Sequence, residues 1–510
     1  MSDKPEAAVT GRRGLARQAV GNMAWVAWGS ATVSLLRVLV LVILTRLLAP
    51  ADFGLVSAAL VVISFSLNFA QLGLGPALVQ RPDLQPRHVS TAFYASIVFG
   101  FLVAAIVWLS APLIAQFFRM EHLTPVVRVL ALVFPISGLG TVPDSLLQRD
   151  LRFRVLANRE IWAYAIGYGM VGVGLALLGW GVWALALAQL TQVLVRTVIL
   201  LRISPSLSPA RPTWRSFVEL MDYGVGQSMT RVGNILANQG DNLVVGRWLG
   251  AVPLGTYSRA YQLMAVPAGL LGDVLDKVLF PTMAKVQDDP RRLAAAFLRG
   301  TALLALVTLP VSVVAAVLAP ELVVVTFGSR WAGLTAPFQV LALGMMFRTC
   351  YRMSDSLSRA TGRVYRRAWR QGLFALLVLL GSLVGQTRGI VGVATGVLVA
   401  FFLNYVSMAQ LSLKITEVSW GRFFQVQLPA VRWSVAIGGV TLATMVGMRH
   451  SGLPPVVGLA VGALAAVSVG LLAAWVAPTF ALGHDGVYAR NMLLGMLPAL
   501  RKRFAPGRAS

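Results

Sequence analysis

YGVGQSMTRVGNILANQGDNLVVGRWLGAVPLGTYSRAY, residues Tyr223–Tyr261, is hydrophobic enough for a lipid bilayer yet carries Gln227, Arg231, Asn234, Asn238 and Asp241. These positions are spaced by 4, 3, 4 and 3 residues, so a helix gathers them into one polar stripe, about one turn apart. A polar stripe on a membrane helix has to face protein, a partner charge or a water-filled cavity. The second half of the stretch also echoes an earlier part of the chain. A wet face combined with a duplication points towards a transporter.

Composition sets the class. The chain has 510 residues, of which 57% are hydrophobic and 12% charged, with a mean hydropathy of +0.73. Soluble domains carry about 25% charged residues, so the expectation is an all-α polytopic membrane protein. The net charge of +25 would suggest nucleic acid, but most of the cations fall in short loops between apolar segments, so no nucleic-acid partner is expected. Cys350 is the only cysteine, which excludes an intramolecular disulfide. Residues 1–21 are polar and basic, and the apolar run after them is too long for a cleavable signal; it reads as a retained first span.

Fourteen apolar segments follow, at 22–45, 53–79, 89–114, 123–148, 157–179, 181–201, 217–246, 253–284, 293–318, 332–357, 368–385, 389–413, 431–448 and 453–477. Alternate connections hold 30 Lys and Arg on one side and 7 on the other, with 7 more inside segments. Positive charge marks the cytoplasmic side, so both termini are expected in the cytoplasm. Arg46-Leu47-Leu48, Gly54 and Ser57 recur 201 residues later as Arg247-Trp248-Leu249, Gly255 and Ser258. Asp144-Ser145-Leu146 recurs 211 residues later as Asp355-Ser356-Leu357. Each repeat holds six helices, an even number, so the two halves are parallel repeats with a central site expected between them. The expected organisation is a cytoplasmic tail (1–21), an N-lobe (22–208), a C-lobe (209–415), two additional helices (416–480) and a basic cytoplasmic tail (481–510).

The cations inside segments are the candidates for chemistry. An arginine at the bilayer centre costs roughly 3 kcal/mol on insertion scales, so the deeper Arg37, Arg231, Arg348 and Arg352 should face inward, and with Arg259, near the outer end of its segment, they are the candidates for a cationic cavity. Arg37 shares a helix face with Ser34, and Asn68 lies on the polar face of the second segment. With Gln227, Asn234, Asn238 and Asp241 these residues make up a polar cavity lining. Guanidinium matches phosphate or carboxylate with its rigid fork of donors, so an anionic substrate is implied. Asp144 and Asp355 occupy equivalent repeat positions and read as gate or capping groups; Asp273, Asp276 and Lys277 read as an ion-pair cluster. The four histidines have no second ligand at metal spacing, and there is no phosphate-binding GxxxxGK[ST] loop. Neither a metal nor a cofactor is expected.

The runs TRLLAPADFGLVSAALVVISFSLNFAQLGLGPALVQRPDL (Thr45–Leu84), DNLVVGRWLGAVPLGTYSRAYQL (Asp241–Leu263) and LFPTMAKVQDDP (Leu279–Pro290) resemble Wzx-type polysaccharide-export flippases, over roughly residues 18–420. The resemblance implies membership of the multidrug/oligosaccharidyl-lipid/polysaccharide exporter superfamily, with two six-helix lobes in a V and two extra C-terminal helices. It also implies a monomer in the bacterial inner membrane that moves an undecaprenyl-pyrophosphate-linked oligosaccharide to the periplasmic leaflet for capsule, exopolysaccharide or O-antigen. Membrane lipid, a polysaccharide polymerase and a chain-length protein are the implied partners. The last helix pair is implied to shelter the lipid tail. Two alternatives stand beside it. A cation-coupled drug antiporter of the same fold calls for an acidic cavity, and a membrane polymerase or ligase calls for a large outer loop. This chain has basic candidates and short loops.

Overall fold

Proline and short polar side chains start the helices. In the computed structural model, which describes residues 29, 32–204, 210–476 and 487, Pro50 opens one helix and Asp52 accepts the N–H of Ala49 at 3.0 Å. Pro290 opens another, behind an Asp289 carboxylate that accepts from the N–H groups of Arg291 and Arg292. Proline lacks the N–H that the first turn cannot use anyway, and the carboxylate satisfies donors that have no partner within the helix. No strand occurs among the described residues. The side chains of residues 222–232 and 270–282, which include Gln227, Arg231, Asp273, Asp276 and Lys277, lie outside the described residues.

The helices are α1 (32–47), α2 (Pro50–Gln71), α3 (Leu74–Gln80), α4 (Pro86–Phe118), α5 (Leu123–Leu130), α6 (Val133–Arg149), α7 (Phe153–Leu177), α8 (Val182–Ile203) and α9 (Trp214–Trp248). They continue with α10 (Ala251–Lys285), α11 (Pro290–Val317), α12 (Ala319–Phe327), α13 (Thr335–Ala360), α14 (Val364–Gly385), α15 (Gly389–Thr416), α16 (Trp420–Gln425), α17 (Leu428–His450) and α18 (Pro455–Val476). Where the described residues cover them, the apolar segments of the sequence fall on helix almost throughout. Among the described residues, nine helical stretches are long and apolar enough to cross a membrane. The fourth segment is broken between α5 and α6, just before Pro135, because proline removes a helix donor and crowds the preceding turn.

The chain divides into two compact units, residues 1–259 and 260–510. In the first unit the duplicated motifs meet each other. A Cβ built on Gly54 would lie 1.8 Å from the carbonyl oxygen of Ala251, and one built on Gly255 would lie 1.8 Å from the carbonyl oxygen of Pro50. Ala251 is Pro50 displaced by the repeat offset of 201, so the two contacts are reciprocal. Three residues further along each helix, the Ser57 hydroxyl donates to Ser258 Oγ at 3.0 Å. The repeat is thus preserved where equivalent backbones cross at van der Waals distance. Glu219 ties α9 into the same unit, accepting from Arg81 at 2.6 Å and Arg215 at 3.2 Å and lying 3.1 Å from His88 Nε2.

In the second unit, α14 and α15 form a tight hairpin. Gly381 faces the backbone of Gly396, and Gly385 faces that of Gly392. Helices α17 and α18 are held to this unit by Arg449, whose Nε and Nη2 donate to Glu321 at 2.7 and 3.0 Å, with Nη2 also donating to the Val317 carbonyl at 3.0 Å. A two-point fork on a largely buried carboxylate is strong and directional.

Candidate functional site

The first unit gathers charge and aromatic rings in the middle of its bundle. Glu160, Tyr164 and Tyr168 step by four along α7, and the helix widens to π geometry over Ala165–Gly172. Such widening is rare and concentrates at functional sites. Arg37 of α1 reaches Glu160, Nη2 to Oε1, at 3.3 Å, and its guanidinium carbon lies 5.7 Å from the centre of the Tyr164 ring. Tyr164 and Tyr168 stack with centroids 5.1 Å apart and planes 16° apart. The Tyr168 hydroxyl donates to Gln189 Oε1 of α8 at 2.9 Å, and Gln192 Nε2 donates to Glu160 Oε1 at 3.4 Å. Arg259 of α10 lies over the Phe53 ring at 4.9 Å, and its buried Nε has no hydrogen-bond partner among the described residues. Both arginines act electrostatically on the tyrosine pair.

Two features suit this cluster to an anion. The Arg37 side chain is 46% exposed and, among the described residues, held by a single long polar contact, the kind of ion pair that contributes little and exchanges readily. Arg259 keeps an unused donor. A phosphate brings several acceptor oxygens and up to two charges, enough to engage both guanidinium groups.

A second charged group sits on α6. The Asp144 carboxylate accepts from Arg159 of α7 and from Gln148 at 3.1 Å, and lies 3.6 Å from Arg196 of α8. Arg159, near the start of the apolar segment 157–179, is only 7% exposed. In the second unit the repeat-equivalent Asp355 accepts from Arg367 of α14 and from Arg359 at 3.2 Å. Each unit therefore holds the same aspartate by an arginine from its next long helix. Arg348 donates to the Tyr261 hydroxyl and lies 5.4 Å from the Phe401 ring. Arg352 is half-buried one turn further along α13.

The remaining expected residues are dispersed. Ser34 is half-buried on α1, and Asn68 is buried on α2 with an Nδ2 that has no hydrogen-bond partner among the described residues. On α9, Asn234 is half-buried, while Asn238 is exposed and donates to the Asn234 carbonyl at 2.6 Å. Asp241 is buried, accepting from the Tyr257 hydroxyl and the Asn242 N–H, each at 2.8 Å. That carboxylate joins α9 to α10 inside the packing. Sequence reading missed Glu160, Tyr164, Tyr168, Gln189 and Gln192, although the fourfold steps of the first three were available as a signal. Among the described residues no group of three His, Cys, Asp or Glu is placed to hold a metal.

The structure shares the fold of the lipid II flippase MurJ in its inward closed conformation, with a TM-score of 0.71 at 12% identity, over 88% of this chain and 98% of that one. It also matches an inward-facing multidrug resistance MATE family transporter of the MOP superfamily, with a TM-score of 0.61 at 16% identity, over 77% and 98% of the two chains. Fold and candidate spans together define a multi-pass membrane protein. The family profile of the polysaccharide biosynthesis proteins matches residues 43–336, and the chain belongs to that family. Its relatives include the teichuronic acid biosynthesis protein TuaB of Bacillus subtilis (24% identical, 88% of this chain, 94% of the relative). The lipopolysaccharide biosynthesis protein WzxC of Escherichia coli is also 24% identical, over 83% of this chain and 88% of its own. The succinoglycan biosynthesis transport protein ExoT of Rhizobium meliloti is 27% identical, over 64% and 66%. The resemblance to Wzx-type flippases drawn from the sequence holds.

Proposed function

We propose that this protein is a flippase that moves an undecaprenyl-pyrophosphate-linked oligosaccharide from the cytoplasmic to the periplasmic leaflet of the bacterial inner membrane by alternating access. The observation that carries this reading is the pairing of an exchangeable Arg37 with the under-used Arg259 around tyrosines stacked on α7, a helix long and apolar enough to cross a membrane. Arginine so placed in a bilayer is costly unless it meets an anion, and pyrophosphate supplies one. On this reading Glu160 holds Arg37 until the headgroup arrives, and pyrophosphate then displaces the single carboxylate oxygen. Arg348 and Arg352 of the second unit, and Arg231, are the further cationic candidates. Asp144 and Asp355 hold their arginines as gate groups. Both termini lie in the cytoplasm, and the protein works as a monomer beside a polymerase and a chain-length protein. Helices α17 and α18, whose outward Val435, Leu464 and Leu471 are 66–69% exposed, present the apolar surface that a polyprenyl tail needs.

The deciding experiment removes the gene in its host. Lipid-linked repeat units should accumulate facing the cytoplasm. Accumulation of unpolymerised units on the periplasmic face would identify a polymerase or ligase instead. In the complemented strain, Arg37→Ala should abolish polymer export and Arg37→Lys should retain part of it; full export from Arg37→Ala would remove that residue from the site.

A further inference from the structure

We infer that a partly open polar cavity inside the first unit, lined by α2, α3, α6 and α8, is a saccharide-binding subsite for the sugars of the transported lipid. The inference rests on the transport reading above and adds to it a place for the part of the cargo that the arginines do not recognise.

The cavity has a volume of about 530 Å³, inside the range of roughly 300–1,000 Å³ typical of small-molecule sites. Its walls include Ser64 and Gln71 of α2, Asp144 and Gln148 of α6, and Gln189 and Arg196 of α8. A void so lined, within helices suited to lipid, has to be filled by water or a polar ligand, because polar groups facing an empty apolar space are costly.

The donor and acceptor inventory selects the ligand. Gln71 presents a whole amide, with acceptor and donors side by side. Gln189 uses its carbonyl oxygen for Tyr168, which leaves its two N–H donors available. Asp144 still offers lone pairs beyond those taken by Arg159 and Gln148. Sugar hydroxyls both donate and accept, and adjacent pairs of them match amides and carboxylates. A free cation is disfavoured, because Asp144 is outweighed by Arg159 and Arg196. A bare phosphate is disfavoured too, because Arg159 is buried against Asp144, leaving one guanidinium beside a carboxylate. The surplus of one positive charge in the trio accommodates an acidic sugar. The wall is also shared with the cationic cluster: Gln189 holds Tyr168, Tyr168 stacks on Tyr164, and Tyr164 lies under Arg37. One ligand can therefore place its phosphates at Arg37 and its sugars in the cavity.

The test uses the full chain in lipid nanodiscs with two probes. One is the oligosaccharide freed by mild acid from the host's own lipid-linked pool, and the other is undecaprenyl pyrophosphate without sugar. Gln71→Leu, which keeps the volume and removes the amide, and Ser64→Leu, which fills space, should each weaken oligosaccharide binding about tenfold, as expected for one lost net hydrogen bond, while undecaprenyl pyrophosphate affinity stays within about twofold. Equal oligosaccharide affinity in wild type and both variants would overturn the subsite. So would a wild type that binds undecaprenyl pyrophosphate but not the oligosaccharide. A wild type that binds neither probe would overturn the transport reading and the subsite with it. A second measurement does not depend on those variants. Cys350 is the only cysteine and is 1% exposed, so Gln71→Cys in a Cys350→Ala background gives a single reporter in the cavity. Oligosaccharide should slow its maleimide labelling, and an unchanged labelling rate would refute the assignment.

Discussion

Gly54→Ala tests the reason the repeat survives in the sequence. The added carbon would sit 1.8 Å from the Ala251 carbonyl oxygen and 2.6 Å from its carbon, where ordinary contact begins at 3.4 Å. The two helices would have to part by about 1.6 Å. The obstacle is backbone, which cannot rotate away as a side chain can. Overpacking of this kind costs about 1–3 kcal/mol, and separation on that scale would also break the Ser57–Ser258 hydrogen bond, adding about 1 kcal/mol. A loss of about 3 kcal/mol corresponds to a fall of roughly 6–12 °C in the unfolding midpoint of a unit this size. The assay is thermal unfolding of purified protein in detergent. Gly233→Ala is the control, since nothing among the described residues lies within 4 Å of the carbon it adds; helix propensity alone should leave that variant unchanged or about 1 kcal/mol more stable. Gly255→Ala meets the reciprocal contact with Pro50 and should fall as far as Gly54→Ala. Equal midpoints for Gly54→Ala and Gly233→Ala would refute the reasoning.

Three further outcomes follow from the ion pairs. Asp144→Asn leaves Arg159 largely buried without its charge partner and should destabilise the protein by about 3 kcal/mol, measured by the same unfolding assay; the double variant with Arg159→Leu should lose less, and a larger loss would contradict the pairing. Arg449→Ala removes the fork on Glu321 and should cost about 2 kcal/mol, with limited proteolysis then cutting between α17 and α18; unchanged cleavage would show that α17 is held by other contacts. Glu160→Gln removes the group that competes for Arg37 and should tighten binding of undecaprenyl pyrophosphate by about two- to fivefold, the worth of an exposed ion pair. Weaker binding would mean that Glu160 positions the site rather than competing with its ligand.

Part of the site was within reach of sequence reasoning and part was not. Arg37 and Arg259 of the candidate cluster could be found, because charge inside an apolar segment is a one-dimensional signal. Their companions were hidden. Glu160 stands next to Arg159 at the start of an apolar segment and reads as a loop charge, whereas the helix carries it inward to Arg37. Arg159 reads as one more cytoplasmic cation, but it is buried against Asp144, fifteen residues earlier. Asp241 reads as part of an open polar stripe, yet Tyr257 of the neighbouring helix covers it. The widening of α7 over Ala165–Gly172 sets the turn on which Tyr168 meets Gln189, and no periodicity in the sequence announces it.

The sequence by itself determined the helical membrane class, the positions of the helices and the duplication. Hydropathy, proline placement and repeat offsets are local or linear properties, and a bilayer allows few ways to satisfy a buried backbone. The tertiary structure alone decided why the duplicated glycines are glycines, which acids hold which arginines, and where the polar cavity lies. Each depends on side chains far apart in the chain arriving within a few ångströms of each other, and that distance is a result of packing that spacing along the chain does not encode.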